Sequence, residues 1–278
     1  MEMLQQPIFK DYSLRNVQAR IIASLITNRI FEHEAGSDEF VQEINETLTI
    51  VTELIAEDEF EQIDLGLRIT RYILELIDEM DSSIARSMHP MVPLMFPCLF
   101  ETFTKEEIGV RGREQILHLF YMLIRLVAWA DGRDNELVQN SLEETFQSWM
   151  ALFLQVIQSN PKQFFNLKKN ALKCLVVIFR DLINFSKDSI NMILKPAWKL
   201  LNSHLPIFTE VVAYNQSIES LGEVDADDDD EDEDDKKERE PGNESFSEEE
   251  IYGVEGMTFH LLELLSSLVL RRNVQGLV

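Results

Sequence analysis

The stretch Val110–Gln158, VRGREQILHLFYMLIRLVAWADGRDNELVQNSLEETFQSWMALFLQVIQ, carries the pattern that decides the fold. Ile116, Leu117, Leu119, Phe120, Leu123, Ile124 and Val127 recur at separations of three and four, the period of one helix face. Val138, Leu142, Phe146, Met150, Phe153, Leu154 and Ile157 repeat that period after DGRDN at 131–135, a cluster of turn residues. Two amphipathic helices on a short turn predict an antiparallel pair.

The same plan runs outward in both directions. Upstream, Tyr12–Phe31 places Leu14, Val17, Ile21, Ile22, Leu25, Ile26 and Ile30 at helical spacing, with Ser13 as its expected cap. Gly36–Asp38 breaks the chain, and Asp38 is the expected cap of the next helix, Phe40–Ile55. Phe60–Met80 and Ile84–Phe103 form the next pair, the second with Pro90, Pro93 and Pro97, which predict a late start or a kink. Downstream come Phe164–Phe185 and Ser189–Val212, with Pro196 and Pro206 as expected bends, and then Glu248–Arg271, the first helix of a further pair. Helix starts near 12, 60, 110 and 163 are spaced by 48, 50 and 53 residues. Helix pairs at such a period predict an all-α fold, an α-solenoid of HEAT-type antiparallel helix pairs. Residues 1–213 hold about four pairs, 214–247 an acidic flexible loop, and 248–278 the start of another repeat. An irregular helical bundle is the alternative.

The loop is the other outstanding feature. Glu223–Glu250 contains 17 acids against Lys236, Lys237 and Arg239, which accounts for −14 of a net charge of −25. Asp227, Asp228, Asp229, Asp230, Glu231, Asp232, Glu233, Asp234 and Asp235 are consecutive. Nine adjacent carboxylates repel one another and do not bury, so a long disordered acidic loop is expected. With Glu223, Asp225 and Glu238 beside them, they form the candidate partner-binding residues for a basic protein. The bland reading is a solubilising spacer. Phosphate repulsion argues against direct nucleic-acid binding. The tract lacks the glycine and spaced glutamate of an EF-hand loop.

Chemistry is sparse elsewhere. No Gly-rich phosphate loop, HExxH, CxxC or GxSxG occurs, so neither an enzyme nor a cofactor or metal site is expected. Cys98 and Cys174 sit in apolar settings and read as buried reduced thiols. His118 and His260 read as packing residues, His89 and His204 as turn or helix-end residues, and Trp129, Trp149 and Trp198 as core. MEMLQQPIFK shows no signal-peptide pattern, and the longest apolar runs are too short to span a bilayer.

Several stretches carry a family resemblance: FVQEINETLTIVTELI at 40–55, MHPMVPLMFPCLFETFTKEEIGVRGREQILHLFYMLI at 88–124, and PAWKLLNSHLPIFTEVVAYNQS at 196–217, followed by the acidic insertion and EEIYGVEGMTFHLLELLSSLV. In this order they resemble the importin-β superfamily of nuclear transport receptors. Two features depart from that pattern: FEHEAGSDEF replaces the family's tryptophan–proline turn, and the acidic insertion is longer. The resemblance implies a portion of a receptor that shuttles between cytoplasm and nucleus. Its implied partners are basic cargo such as histones or ribosomal proteins on the inner helices, Ran-GTP near the N-terminal repeats, and phenylalanine–glycine nucleoporin repeats between outer helices. A HEAT scaffold or a histone chaperone without a transport role is the competing expectation.

Overall fold

The computed structural model describes residues 7–34, 36–78, 82–160, 164–182, 187–222 and 247–275. The chain is all-α, with no strand among the described residues. Its helices are α1 (Tyr12–Ile30), α2 (Asp38–Ala56), α3 (Phe60–Asp78), α4 (Ser82–Ala85), α5 (Val92–Thr104), α6 (Gly109–Trp129), α7 (Glu136–Ile157), α8 (Phe165–Val177), α9 (Lys187–Gly222) and α10 (Glu248–Gln275). The expected helices are thus present, and the caps differ by one or two residues. Asp11, not Ser13, caps α1 by accepting from the Leu14 N–H at 2.9 Å. Ser37, not Asp38, caps α2, which leaves Asp38 free to face the positive end of the helix dipole.

The prolines act unevenly. Residues 86–91 wind as a 3₁₀ turn through Pro90 before α5 begins, with Pro93 in its first turn. Pro196 and Pro206, by contrast, lie inside the single helix α9 rather than splitting it. α8 gives way to a π-helical turn at Ile178–Leu182. Its carbonyls find partners across the stack: Arg133 donates to Arg180 O at 3.0 Å and Gln139 to Leu182 O at 3.1 Å.

The helices lie in two rows. α1, α3, α6, α8 and α10 pack successively against one another, and so do α2, α5, α7 and α9. Between rows the closest packing joins α2 to α3, α5 to α6, α7 to α8 and α9 to α10. These cross-row contacts follow the short connections 57–59 and 105–108 and the link from Ile157 to Phe165. The tightest helix hairpins are therefore one helix out of step with the pairs expected from the sequence. A continuous core runs between the rows, filled by Phe40, Phe96, Phe120, Trp149, Phe153 and Phe179 among many aliphatic residues. Phe120 stacks on Trp149 with ring centroids 3.9 Å apart. Trp129 and Trp198, expected in the core, are 48% and 57% exposed instead.

Polar rungs tie neighbours in a row at the same level. Cys98 Sγ donates to Thr52 O at 3.6 Å, Thr102 Oγ1 to Ile55 O at 3.3 Å, and Lys105 Nζ to Ala56 O at 2.9 Å. In the other row Arg15 pairs with Asp64, Arg125 with Asp78, and Cys174 Sγ donates to Leu117 O at 3.4 Å. Both thiols are free and buried, as expected, and burial pushes the Cys98 pKa up to about 11.

The stretch Glu250–Leu270 is long and apolar enough to cross a membrane by length and composition, contrary to the expectation that no run is. In the fold Val254, Met257, Leu261, Leu264, Leu265 and Leu268 of that stretch are buried, and α10 packs on α8 and α9.

Candidate functional site

The twelve acidic residues singled out in the sequence, Glu223 to Glu238, lie outside the described residues. What the structure places is the two ends of that segment. Gly222 closes α9 and Ser247 precedes α10, so the segment leaves and rejoins the stack where one row turns into the other. The α2–α3 turn at the corresponding position is Glu57-Asp58-Glu59, all exposed, and the α5–α6 link holds exposed Glu106 and Glu107.

Charge divides sharply between α2, α5 and α7 of one row and α1, α3, α6 and α8 of the other. α2 carries Asp38, Glu39, Glu43, Glu46 and Glu53; α5 carries Glu101; α7 carries Glu136, Glu143 and Glu144. These three neighbours hold nine carboxylates and no Lys or Arg. All but Glu43 are exposed. Glu43 is reached by Arg29 at 2.7 Å. On the same side Asp38, Gln42, Asn45 and Glu46 line a shallow depression of about 600 Å³ with Val41 and Ile50. Asn45 Oδ1 is buried there with no hydrogen-bond partner. Such an acceptor calls for a donor. α9 extends this row with balanced charge.

The opposite row is basic over its first four helices, whereas α10 at its end carries five acids against two arginines. α1 and α8 carry three cations each and no acid, and α1, α3, α6 and α8 together hold eleven Lys or Arg against five acids. Between α1, α3 and α6 a groove of about 500 Å³ is lined by Tyr12, Phe60, Arg68, Arg71, Tyr72, Arg111 and His118, with one acid, Glu114, in its wall besides Asp64. At its floor the Asp64 carboxylate, 4% exposed, accepts from Arg15 Nε at 2.5 Å and from Arg68 Nε at 2.9 Å. Arg68 also donates to Asn16 Oδ1 at 2.7 Å and lies over the Tyr12 ring at 4.0 Å. Burial works against its charge, yet Asp64 and Tyr12 hold its pKa above the usual arginine value.

A third concavity, about 630 Å³, opens among α5, α6, α7 and α8 and is mostly apolar, with Phe100, Phe103, Leu152, Val156 and Phe164 in its wall. Phe164 has a positive φ of 60°, a conformation costly for an aromatic residue and held by its place at the start of α8.

Among the described residues no group of His, Cys, Asp and Glu is arranged to hold a metal. His204, expected near a helix end, is a fully buried residue inside α9 whose Nε2 bonds Thr258 Oγ1 at 2.9 Å. Burial lowers the pKa of His89, His118, His204 and His260 alike.

The acidic row was missed from the sequence, although its signal is there: α2, α5 and α7 hold nine acids and not one basic side chain. Only the fold puts them side by side. The class these observations define is an all-α protein of two stacked helix rows, with an acidic stretch over α2, α5 and α7 opposite a basic one over α1, α3, α6 and α8. Comparison of the chain with family models, curated proteins and solved structures gives no match.

Proposed function

We propose that this chain is a HEAT-type α-solenoid segment of a nuclear import receptor that holds basic protein cargo on its acidic row. The solenoid reading is supported by the order of packing, each helix against the next but one. It is also supported by polar rungs joining residues at sequence separations from 43 to 57. The single observation that carries the cargo reading is the run of nine carboxylates over α2, α5 and α7 with no cation among them. A field of one sign steers oppositely charged partners and strengthens as salt falls. Glu223, Asp225, Asp227–Asp235 and Glu238, which lie between α9 and α10 in the sequence, add to it and shield cationic cargo such as histones or ribosomal proteins. Ran-GTP releases that cargo, and the apolar concavity at Phe100, Phe103 and Phe164 has the right chemistry for a nucleoporin phenylalanine. The receptor shuttles between cytoplasm and nucleus.

The test is affinity for a core histone dimer at low and high salt. Glu46→Lys, Glu53→Lys, Glu143→Lys and Glu144→Lys combined weaken binding by about a hundred-fold at low salt, the loss shrinking as salt rises. Replacement of Asp227–Asp235 by Asn and Gln weakens it further. Unchanged binding in both variants rejects the cargo role. Displacement of histone by Ran carrying a non-hydrolysable GTP analogue supports transport. Histone binding that ignores Ran points to a chaperone.

A further inference from the structure

We propose that the basic groove between α1, α3 and α6 is a second binding site, for a short acidic peptide carrying aromatic side chains. This inference does not rest on cargo binding by the opposite row. It starts from the buried triad at the groove floor. Two guanidiniums, Arg15 and Arg68, share one carboxylate, Asp64, at 2.5 and 2.9 Å, so the triad keeps a net positive charge beneath the surface. A buried positive charge of that kind is costly unless further anionic groups approach it.

The rim continues the same chemistry. Arg111 is exposed and pairs with no carboxylate among the described residues, whereas Arg71 holds Glu75 at 2.7 Å in a pair with both side chains about half exposed. An exposed pair of this type is weak and exchanges readily with a ligand carboxylate. Tyr12 is 60% exposed and Phe60 37%, each with a guanidinium over one side of its ring, Arg68 at 4.0 Å and Arg15 at 5.8 Å. Carboxylate-binding forks next to aromatic walls suit alternating acidic and aromatic residues.

A polyanion such as nucleic acid is disfavoured, because its length would bring it into the field of a chain of net charge −25. A short peptide reaches far fewer of the distant carboxylates, whose field on it is largely screened beyond one Debye length, about 8 Å.

The experiment measures fluorescence anisotropy of a labelled ten-residue peptide of alternating Glu and Phe. It uses the full chain and the full chain with Asp227–Asp235 replaced by Asn and Gln, so that the protein's own carboxylates do not compete. Arg71→Glu with Arg111→Glu weakens binding by about ten-fold or more in the substituted chain, and Arg29→Glu, on α1 away from the groove, leaves it within about two-fold. Gln115→Glu, which keeps every arginine and adds a carboxylate to the groove lining, also weakens it. Binding by the Arg71/Arg111 variant at native strength overturns the proposal. So does an equal loss in the Arg29 variant, and so does displacement of the peptide by inorganic phosphate at matched ionic strength.

Discussion

Ile21 and Ile22 are equivalent in the helical pattern of α1, yet Ile22 is 5% exposed and Ile21 56%. Ile22→Ala therefore costs about 2–4 kcal/mol in urea unfolding, while Ile21→Lys stays within about 0.5 kcal/mol. Equal effects at the two positions would contradict the packing of α1 on α3. Asp64 makes a sharper case, since its removal strands two buried guanidiniums. Asp64→Asn is expected to cost about 3–5 kcal/mol, and a loss below about 1 kcal/mol would show the triad to be solvated. His204 sets the pH response. Its folded pKa lies below the unfolded value of about 6.5 because burial, and Lys168 nearby, disfavour the imidazolium. Below that value the unfolded chain binds a proton the folded chain resists, so stability falls as pH drops from about 7 toward 5. His89, His118 and His260 push the same way. His204→Gln should flatten part of that slope; an unaltered slope would assign it to the other three.

At the scale of elements, helix existence was legible because the i→i−4 bond is local and apolar spacing reports it directly. Turn chemistry was legible too at DGRDN, where Asp131 adopts the left-handed region and Gly132 begins a 3₁₀ turn. Gly132 is required by close approach: a Cβ there would meet Val127 O at 2.6 Å. Gly132→Ala is expected to destabilise by about 1–3 kcal/mol, read as a lower melting temperature; a neutral outcome would mean the α6 terminus relaxes freely. The prolines were less legible. Pro90 and Pro93 set the start of α5 as their chemistry suggests, but Pro206 lies within α9, beside Ile207 and Val211, which pack with Val254 of α10. Burial of that face outweighs the missing backbone donor, a balance set by residues some fifty positions away. The exposure of Trp129 and Trp198 has the same origin, since which face of a helix is covered depends on its neighbours in the row.

Over the whole molecule, the solenoid reading proposed above makes stability a sum of local terms and adjacent interfaces. Hydrogen exchange is expected to grade accordingly, slowest in α6 and α7 and fastest in α1 and α10. Uniform protection from end to end would indicate a single all-or-none unit instead. α1 shows why its end is weak: beyond its buried side it exposes Leu14, Val17, Ile21 and Leu25, an apolar face with nothing against it among the described residues. α10 exposes Tyr252, Phe259, Leu262 and Val269 in the same way.

The sequence by itself determined the helical content, the spacing of helix starts near fifty residues, the buried thiols and the acidity of the segment between α9 and α10. Each follows from local bonding, periodicity or composition, which a linear chain displays openly. Only the tertiary structure decided that α2, α5 and α7 form one acidic row, that α1, α3 and α6 enclose a basic groove, and that Arg15 and Arg68 share Asp64. Apart from the i,i+4 pair Arg68–Asp64, those groupings join residues of different helices, as Arg15 and Asp64 are, 49 positions apart. No local rule links such residues, because their proximity comes from burying apolar faces between alternate helices.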